Sequence, residues 1–210
     1  MNAFKKTLLG AVAAVGLAPL GAHAALILDS GTPDGSGLPA VLDSGDYAAA
    51  EFSLSSGQTI TSIQTYLTAG LDQPGDTFTI SLYADGSLGG RNPSSVFSAQ
   101  ASYTADGWNG LSGLDITGLA AGNYWVALEV APTDSALGLS LPTGTSGGTA
   151  AALHYAYSSN GGVNYANQDS LPFGVQVEVA PVPLPGALLL LGSGLLGLGA
   201  TARRRATADC

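Results

Sequence analysis

The stretch that decides the fold is Asn123-Tyr124-Trp125-Val126-Ala127-Leu128-Glu129-Val130. Its apolar residues Tyr124, Val126, Leu128 and Val130 alternate with Asn123, Trp125, Ala127 and Glu129. Successive side chains on a strand point to opposite faces, so a period of two sets one apolar face against a core and leaves a mixed face behind it. The pattern recurs in Phe78, Ile80, Leu82 and Ala84, set between Thr77, Thr79, Ser81 and Tyr83. It recurs in Ala50, Phe52 and Leu54 around Glu51 and Ser53, and in Val175, Val177 and Val179 around Gln176 and Glu178. Weaker strand candidates cover 59–67, 96–103, 137–141, 150–157 and 163–166. Turn residues separate them, as in Asp72-Gln73-Pro74-Gly75-Asp76, Asp85-Gly86 and Asn160-Gly161-Gly162. No window carries the apolar spacing of an amphipathic helix. Eight or nine short strands at this spacing predict an all-β fold, an antiparallel β-sandwich that is jelly-roll-like.

Both ends of the chain read differently from this body. Lys5 and Lys6 precede a short apolar run, Leu8 to Leu20, and then Ala22-His23-Ala24. A positive start, an apolar middle and an A-x-A site make a secretory signal peptide, with cleavage by signal peptidase expected after Ala24. At the other end Val182-Pro183-Leu184-Pro185 leads into an apolar run from Gly186 to Ala202, and Arg203-Arg204-Arg205 closes it. As a helix this run of about 17 residues spans roughly 25 Å, enough for a thin bilayer core. The arginines act as a stop-transfer block, because they stay on the cytoplasmic side. Pro183 and Pro185 hold the preceding backbone extended and part the helix from the body. Three segments follow: a signal peptide over 1–24, a sandwich ectodomain over 25–180, and a C-terminal segment with a transmembrane helix over 181–210.

This C-terminal pattern of Val182 to Pro185, a Leu/Gly-rich helix and Arg203 to Arg205 resembles the PEP-CTERM sorting signal of Gram-negative bacteria, in its Val-Pro-Leu-Pro-Ala variant. Gly186 stands where the variant usually has Ala, and the chain continues past the arginines to Cys210, where the family usually stops. The resemblance implies recognition by an exosortase-type membrane protease. It further implies export through the general secretion machinery, a transient stay in the inner membrane, and delivery to the envelope surface or an extracellular polysaccharide matrix such as a biofilm. The bare physical alternative is a C-terminal anchor that is never cut. The span from Ala49 to Val130 also resembles the sandwich ectodomains that often precede this signal, and carbohydrate-binding sandwiches too. That likeness implies a fold and not a ligand.

Composition narrows the functional classes. Of six Lys and Arg only Arg91 falls in the body, against fourteen of the fifteen acids, a net charge there of −13. Such a surface repels nucleic acid and anionic lipid, which are bound through Lys and Arg. Its charge serves solubility or divalent-cation binding. For the latter, Asp29 and Asp34 in the acidic loop Asp29-Ser30-Gly31-Thr32-Pro33-Asp34-Gly35-Ser36-Gly37 are the calcium candidates, although the segment lacks the EF-hand spacing and reads first as a flexible N-terminal linker. No cofactor other than calcium is expected. The body has no Cys, so no disulfide supports it.

Catalytic chemistry finds little purchase. His154 is the only His in the body, and no Gly-x-Ser-x-Gly elbow, His-Glu-x-x-His or Walker loop is present. Glu51, Glu129 and Glu178 occupy the polar phase of strands, where solvation is expected and a paired-carboxylate glycosidase is the alternative. Exposed aromatics are the handle for glycans. Trp108 is expected in the loop Asp106-Gly107-Trp108-Asn109-Gly110, and Trp125 is out of phase with the apolar face of its strand. The sequence therefore predicts a non-enzymatic exported protein, with a carbohydrate-binding module as the second reading.

Overall fold

The computed structural model describes residues 24–88 and 94–181. The described residues form strands and turns, with no helix. In chain order the strands are β1 (Ala25–Pro33), β2 (Ala40–Leu42), β3 (Tyr47–Leu54), β4 (Ile60–Leu67), β5 (Thr77–Ala84), β6 (Phe97–Ser102) and β7 (Gly107–Ile116). They continue as β8 (Gly122–Glu129), β9 (Leu139–Leu141), β10 (Thr145–Ala150), β11 (Tyr155–Ser158), β12 (Ala166–Asn167) and β13 (Val175–Val179).

Three sheets result. One runs β10-β1-β13-β4-β7, another β12-β11-β3-β8-β5-β6, and a small one joins β2 to β9. Every strand pair is antiparallel. The pairing is nested: β5 with β6, β4 with β7, β3 with β8 and β2 with β9. Successive pairs alternate between sheets, and a bridge from Thr68 to Ser140 brings β9 beside the end of β4. The middle of the chain is thus one long folded hairpin whose rungs pass from sheet to sheet.

The apolar phases of both large sheets meet in one core. Leu28, Ile60, Ile63, Val175 and Val177 come from the five-stranded sheet, and Phe52, Phe78, Ile80, Leu82, Val126 and Leu128 from the six-stranded one. Each is essentially inaccessible to solvent. Burying such a side chain stabilises the fold by roughly 1.5–3 kcal/mol. Tyr155 closes one part of this core edge-on against Phe173, with ring centroids 5.3 Å apart.

The expected strand positions hold at β3, β5, β8 and β13, and the weaker candidates map onto β4, β6 and β9. The structure corrects four other expectations. Residues 150–157 divide between the end of β10 and the start of β11, and only Ala166 of 163–166 is in a strand, β12. Trp108 is not in a loop but on β7, the longest strand, paired with Tyr66 of β4. Asp29-Ser30-Gly31 is not a linker but lies within β1, between β10 and β13.

Gly31 marks a bulge where the β1–β10 register shifts. Its φ is +88°, and an added Cβ would collide with the backbone of Ser146 and Gly148. Only glycine takes this conformation without strain, and backbone cannot move aside as a flexible side chain can. Gly31→Ala is expected to destabilise the protein by about 2 kcal/mol or more, read as a lower urea midpoint. An unchanged midpoint would contradict the bulge.

Candidate functional site

The outer face of the six-stranded sheet is where polar chemistry gathers. Strand register sets its residues in rows. Ala156, Ala49, Ala127, Ser81 and Ser98 form one row of small side chains across five strands. On one side of it lie Tyr47, Glu129 and Thr79, and on the other Glu51, Trp125 and Tyr83. The small row leaves room for larger groups to lie over it. Ala49, Tyr83 and Ala127 form a second buried cluster, with Leu88, Trp125 and Tyr165 packed on them.

This covering overturns the expectation of solvated carboxylates. Glu51 is only 5% exposed and Glu129 7%. Glu178, on β13 in the other large sheet, is half-buried. Glu129 accepts hydrogen bonds from the Tyr83 hydroxyl at 2.6 Å and from Ser81 Oγ at 3.0 Å. Burial pushes the Glu129 carboxyl up, and these two bonds only partly offset it. The Tyr83 hydroxyl rises as well, through its burial and its bond to Glu129.

The spacing of Glu51 and Glu129 bears on the glycosidase alternative. Glu51 faces Trp125, which lies four residues from Glu129 along β8. At about 3.4 Å per residue their rows are ~13 Å apart. Glycosidase carboxyl pairs stand roughly 5–9.5 Å apart.

A cleft of about 350 Å³ opens between this covered region and the start of β11. Trp125, Tyr165 and Ala156 line it, and Asp85, His154 and Asn167 supply polar groups. Its rim is organised by Asp169, which lies outside the lining. Asp169 Oδ2 is 3.1 Å from His154 Nδ1 and accepts from Asn167 Nδ2 at 2.9 Å, while Oδ1 accepts from the Tyr155 amide at 2.7 Å. These bonds, the Tyr155 amide foremost, hold the Asp169 carboxyl down at about 2. The bond to Asp169 in turn raises His154 above its ordinary value.

The two tryptophans are not brought together. Trp125 lies in the cleft, whereas Trp108 belongs to the five-stranded sheet and packs edge-on against Tyr66, centroids 5.6 Å apart. Nor do Asp29 and Asp34 share an environment. Asp29 is buried, and its carboxylate accepts from Gly31 N, Thr149 N, Thr149 Oγ1 and Gln176 Nε2. Burial pushes its carboxyl up, but the bonds from Gln176, Thr149 and Gly31 outweigh that and hold it below the usual value. A cation there would have to displace those donors. Asp34 is exposed and caps the Ser36 amide at 2.8 Å. Among the described residues no group of three or more His, Cys, Asp or Glu is placed to hold a metal.

Ala24 is the first described residue, and it is exposed. Ala22, Val182 to Pro185 and Arg203 to Arg205 lie outside the described residues. Among the described residues no helix is long and apolar enough to cross a membrane. No protein-family model matches the chain, and no curated protein matches it.

Two measurements follow from the titratable groups. The raised Glu129 value means that the native state keeps a proton that the unfolded chain releases. Stability therefore falls as pH rises from the ordinary Glu range through the raised value. Glu129→Gln should flatten that fall in urea denaturation across the acidic range, and a variant that keeps the wild-type slope would exclude Glu129 as its source. For His154, NMR titration should place the wild-type ring above 6.5, the ordinary His value. Asp169→Asn should return it toward that value, and an unshifted titration would break the pairing.

Proposed function

We propose that this chain is an exported, non-enzymatic protein of the cell surface or extracellular matrix, sorted by an exosortase-type membrane protease. Signal peptidase cuts after Ala24, the general secretion machinery carries the body across, and the C-terminal helix holds it in the inner membrane until Val182-Pro183-Leu184-Pro185 is read. Its body is a jelly-roll-like β-sandwich. The nested, sheet-alternating pairing of β2 to β9 supports that architecture, because a long hairpin wound into two layers is how a jelly roll is built.

The observation that carries the reading is where the body stops. Ala24 to Pro181 forms one compact unit, and the motif begins at the next residue. Such a unit, without Cys, needs no oxidative folding on the far side of the membrane. A cut at the motif would therefore release an intact domain.

A second reading, a carbohydrate-binding module, is favoured by Trp125 and Tyr165 flanking a cleft with a hydrogen-bonding rim. The glycosidase alternative gains nothing from Glu51 and Glu129 at their ~13 Å spacing.

Intact-mass analysis of surface material from the native host tests the sorting. The expected protein begins at Ala25 and lacks the helix and Cys210. Replacing both Pro183 and Pro185 with Ala should leave export intact and make the uncut form accumulate in the inner membrane. Wild-type surface protein that retains its C-terminal helix would reduce the segment to a plain anchor.

A further inference from the structure

We infer that the cleft flanked by Trp125 and Tyr165 is a glycan subsite that takes an uncharged pyranose unit and rejects uronates. The inference rests on the proposed function only in that an exported body meets polysaccharide.

The volume comes first. About 350 Å³ lies at the lower end of the ~300–1,000 Å³ typical of small-molecule sites. It suits one or two sugar rings and is far too small for a folded partner. The walls come second. A pyranose has one face of C–H groups and an equator of hydroxyls, so it needs a flat apolar surface with hydrogen-bonding groups around its edge. Trp125 and Tyr165 line the cleft and supply its aromatic surface, and the Ala156–Ala49–Ala127 row of small side chains runs beside them on the sheet. Trp125 is anchored from below, since it packs on the Ala49, Tyr83 and Ala127 cluster. Large aromatic side chains give much contact area for little lost conformational freedom.

The rim decides the class of sugar. Asp85, His154 and Asn167 point to a ligand rich in hydroxyls. Asp169 acts as a positioning residue for two of them, binding His154 Nδ1 and Asn167 Nδ2 with one oxygen. In the neutral ring that contact assigns the proton to Nδ1 and leaves Nε2 as an acceptor for a sugar hydroxyl.

An anionic sugar would meet like charge at this cleft. Among the described residues lining it, His154 is the one basic group, and its charge when protonated is already spent on Asp169. Asp85 adds a negative charge at the rim, and the body around it is strongly acidic. Repulsion between carboxylates inside a Debye length of about 8 Å is not screened away at physiological salt. A uronate would pay this repulsion, and a neutral hexose would not.

The test uses the protein as its host exports it, titrated with soluble neutral polymers (a glucan, a mannan and a galactan) and with polygalacturonate. Calorimetry and tryptophan fluorescence report binding. At least one neutral polymer should bind, and polygalacturonate at least tenfold more weakly. Trp125→Ala should weaken the neutral polymer at least tenfold, whereas Trp108→Ala, on the other sheet, should stay within twofold. Should Trp125→Ala fail to fold, Asp85→Ala in an exposed turn carries the test, with a loss of threefold or more expected. Failure of all three neutral polymers to bind, equal binding of polygalacturonate, or unchanged affinity in the cleft variants would each overturn the subsite. Correct C-terminal processing of a protein that binds no neutral polymer would sink the subsite alone. Binding by a protein that keeps its helix would sink the sorting proposal alone.

Discussion

The antiparallel ladder between β3 and β8 is the element on which the rest hangs. It runs unbroken from Tyr47 opposite Glu129 to Leu54 opposite Gly122. One face carries Phe52, Val126 and Leu128 into the core, and the other carries Ala49 and Ala127 beneath the covering aromatics together with the buried Glu51 and Glu129. A single-residue slip would exchange the two faces, pushing both glutamates into the core. Register here is held from both sides, which suits a body that has no disulfide to hold it.

The buried glutamate on this ladder is costly and still satisfied. An acid taken out of water without a cation must be neutralised or hydrogen-bonded. Glu129 has two hydroxyl donors, and burial shifts it toward its protonated form. A polar group in that place ties β8 to β5 through side chains, in addition to the backbone ladder. Trp125 sits one row beyond the small residues on the same strand, so the order of this network bears directly on the shape of the cleft wall.

How much of this the sequence discloses depends on the kind of contact. Period-two strands are readable, because the pattern is local: β3, β5, β8 and β13 lie where alternation puts them. β7 is not readable, because Gly107, Gly110 and Gly113 resemble turns and only pairing with β4 makes them a strand. β1 is hidden by Asp29-Ser30-Gly31, whose polar atoms are satisfied by Thr149, Gln176 and Phe173, far away in sequence. Alternation assigned Glu51 and Glu129 to the face away from the core but could not say that this face is covered. That depends on where the chain around Tyr165 comes to rest. That Trp125 lies on the face away from the core was readable from its phase alone, whereas the Asp169 pairing with His154 was not, since neither residue stands in a motif.

The nested pairing favours an order of assembly. The innermost rung, β5 with β6, closes a short loop, whereas β1 and β13 join the two ends of the body. Closing a roughly tenfold longer loop costs about 2 kcal/mol more in chain entropy. Rungs that form from the inside outward shorten the effective loop for each one that follows. The middle of the chain can zip early, but the five-stranded sheet is incomplete until Val175 to Val179 joins it. The last strand to arrive is therefore the keystone: until it slots between β1 and β4, both neighbours present bare edges, and edges of that kind recruit other chains.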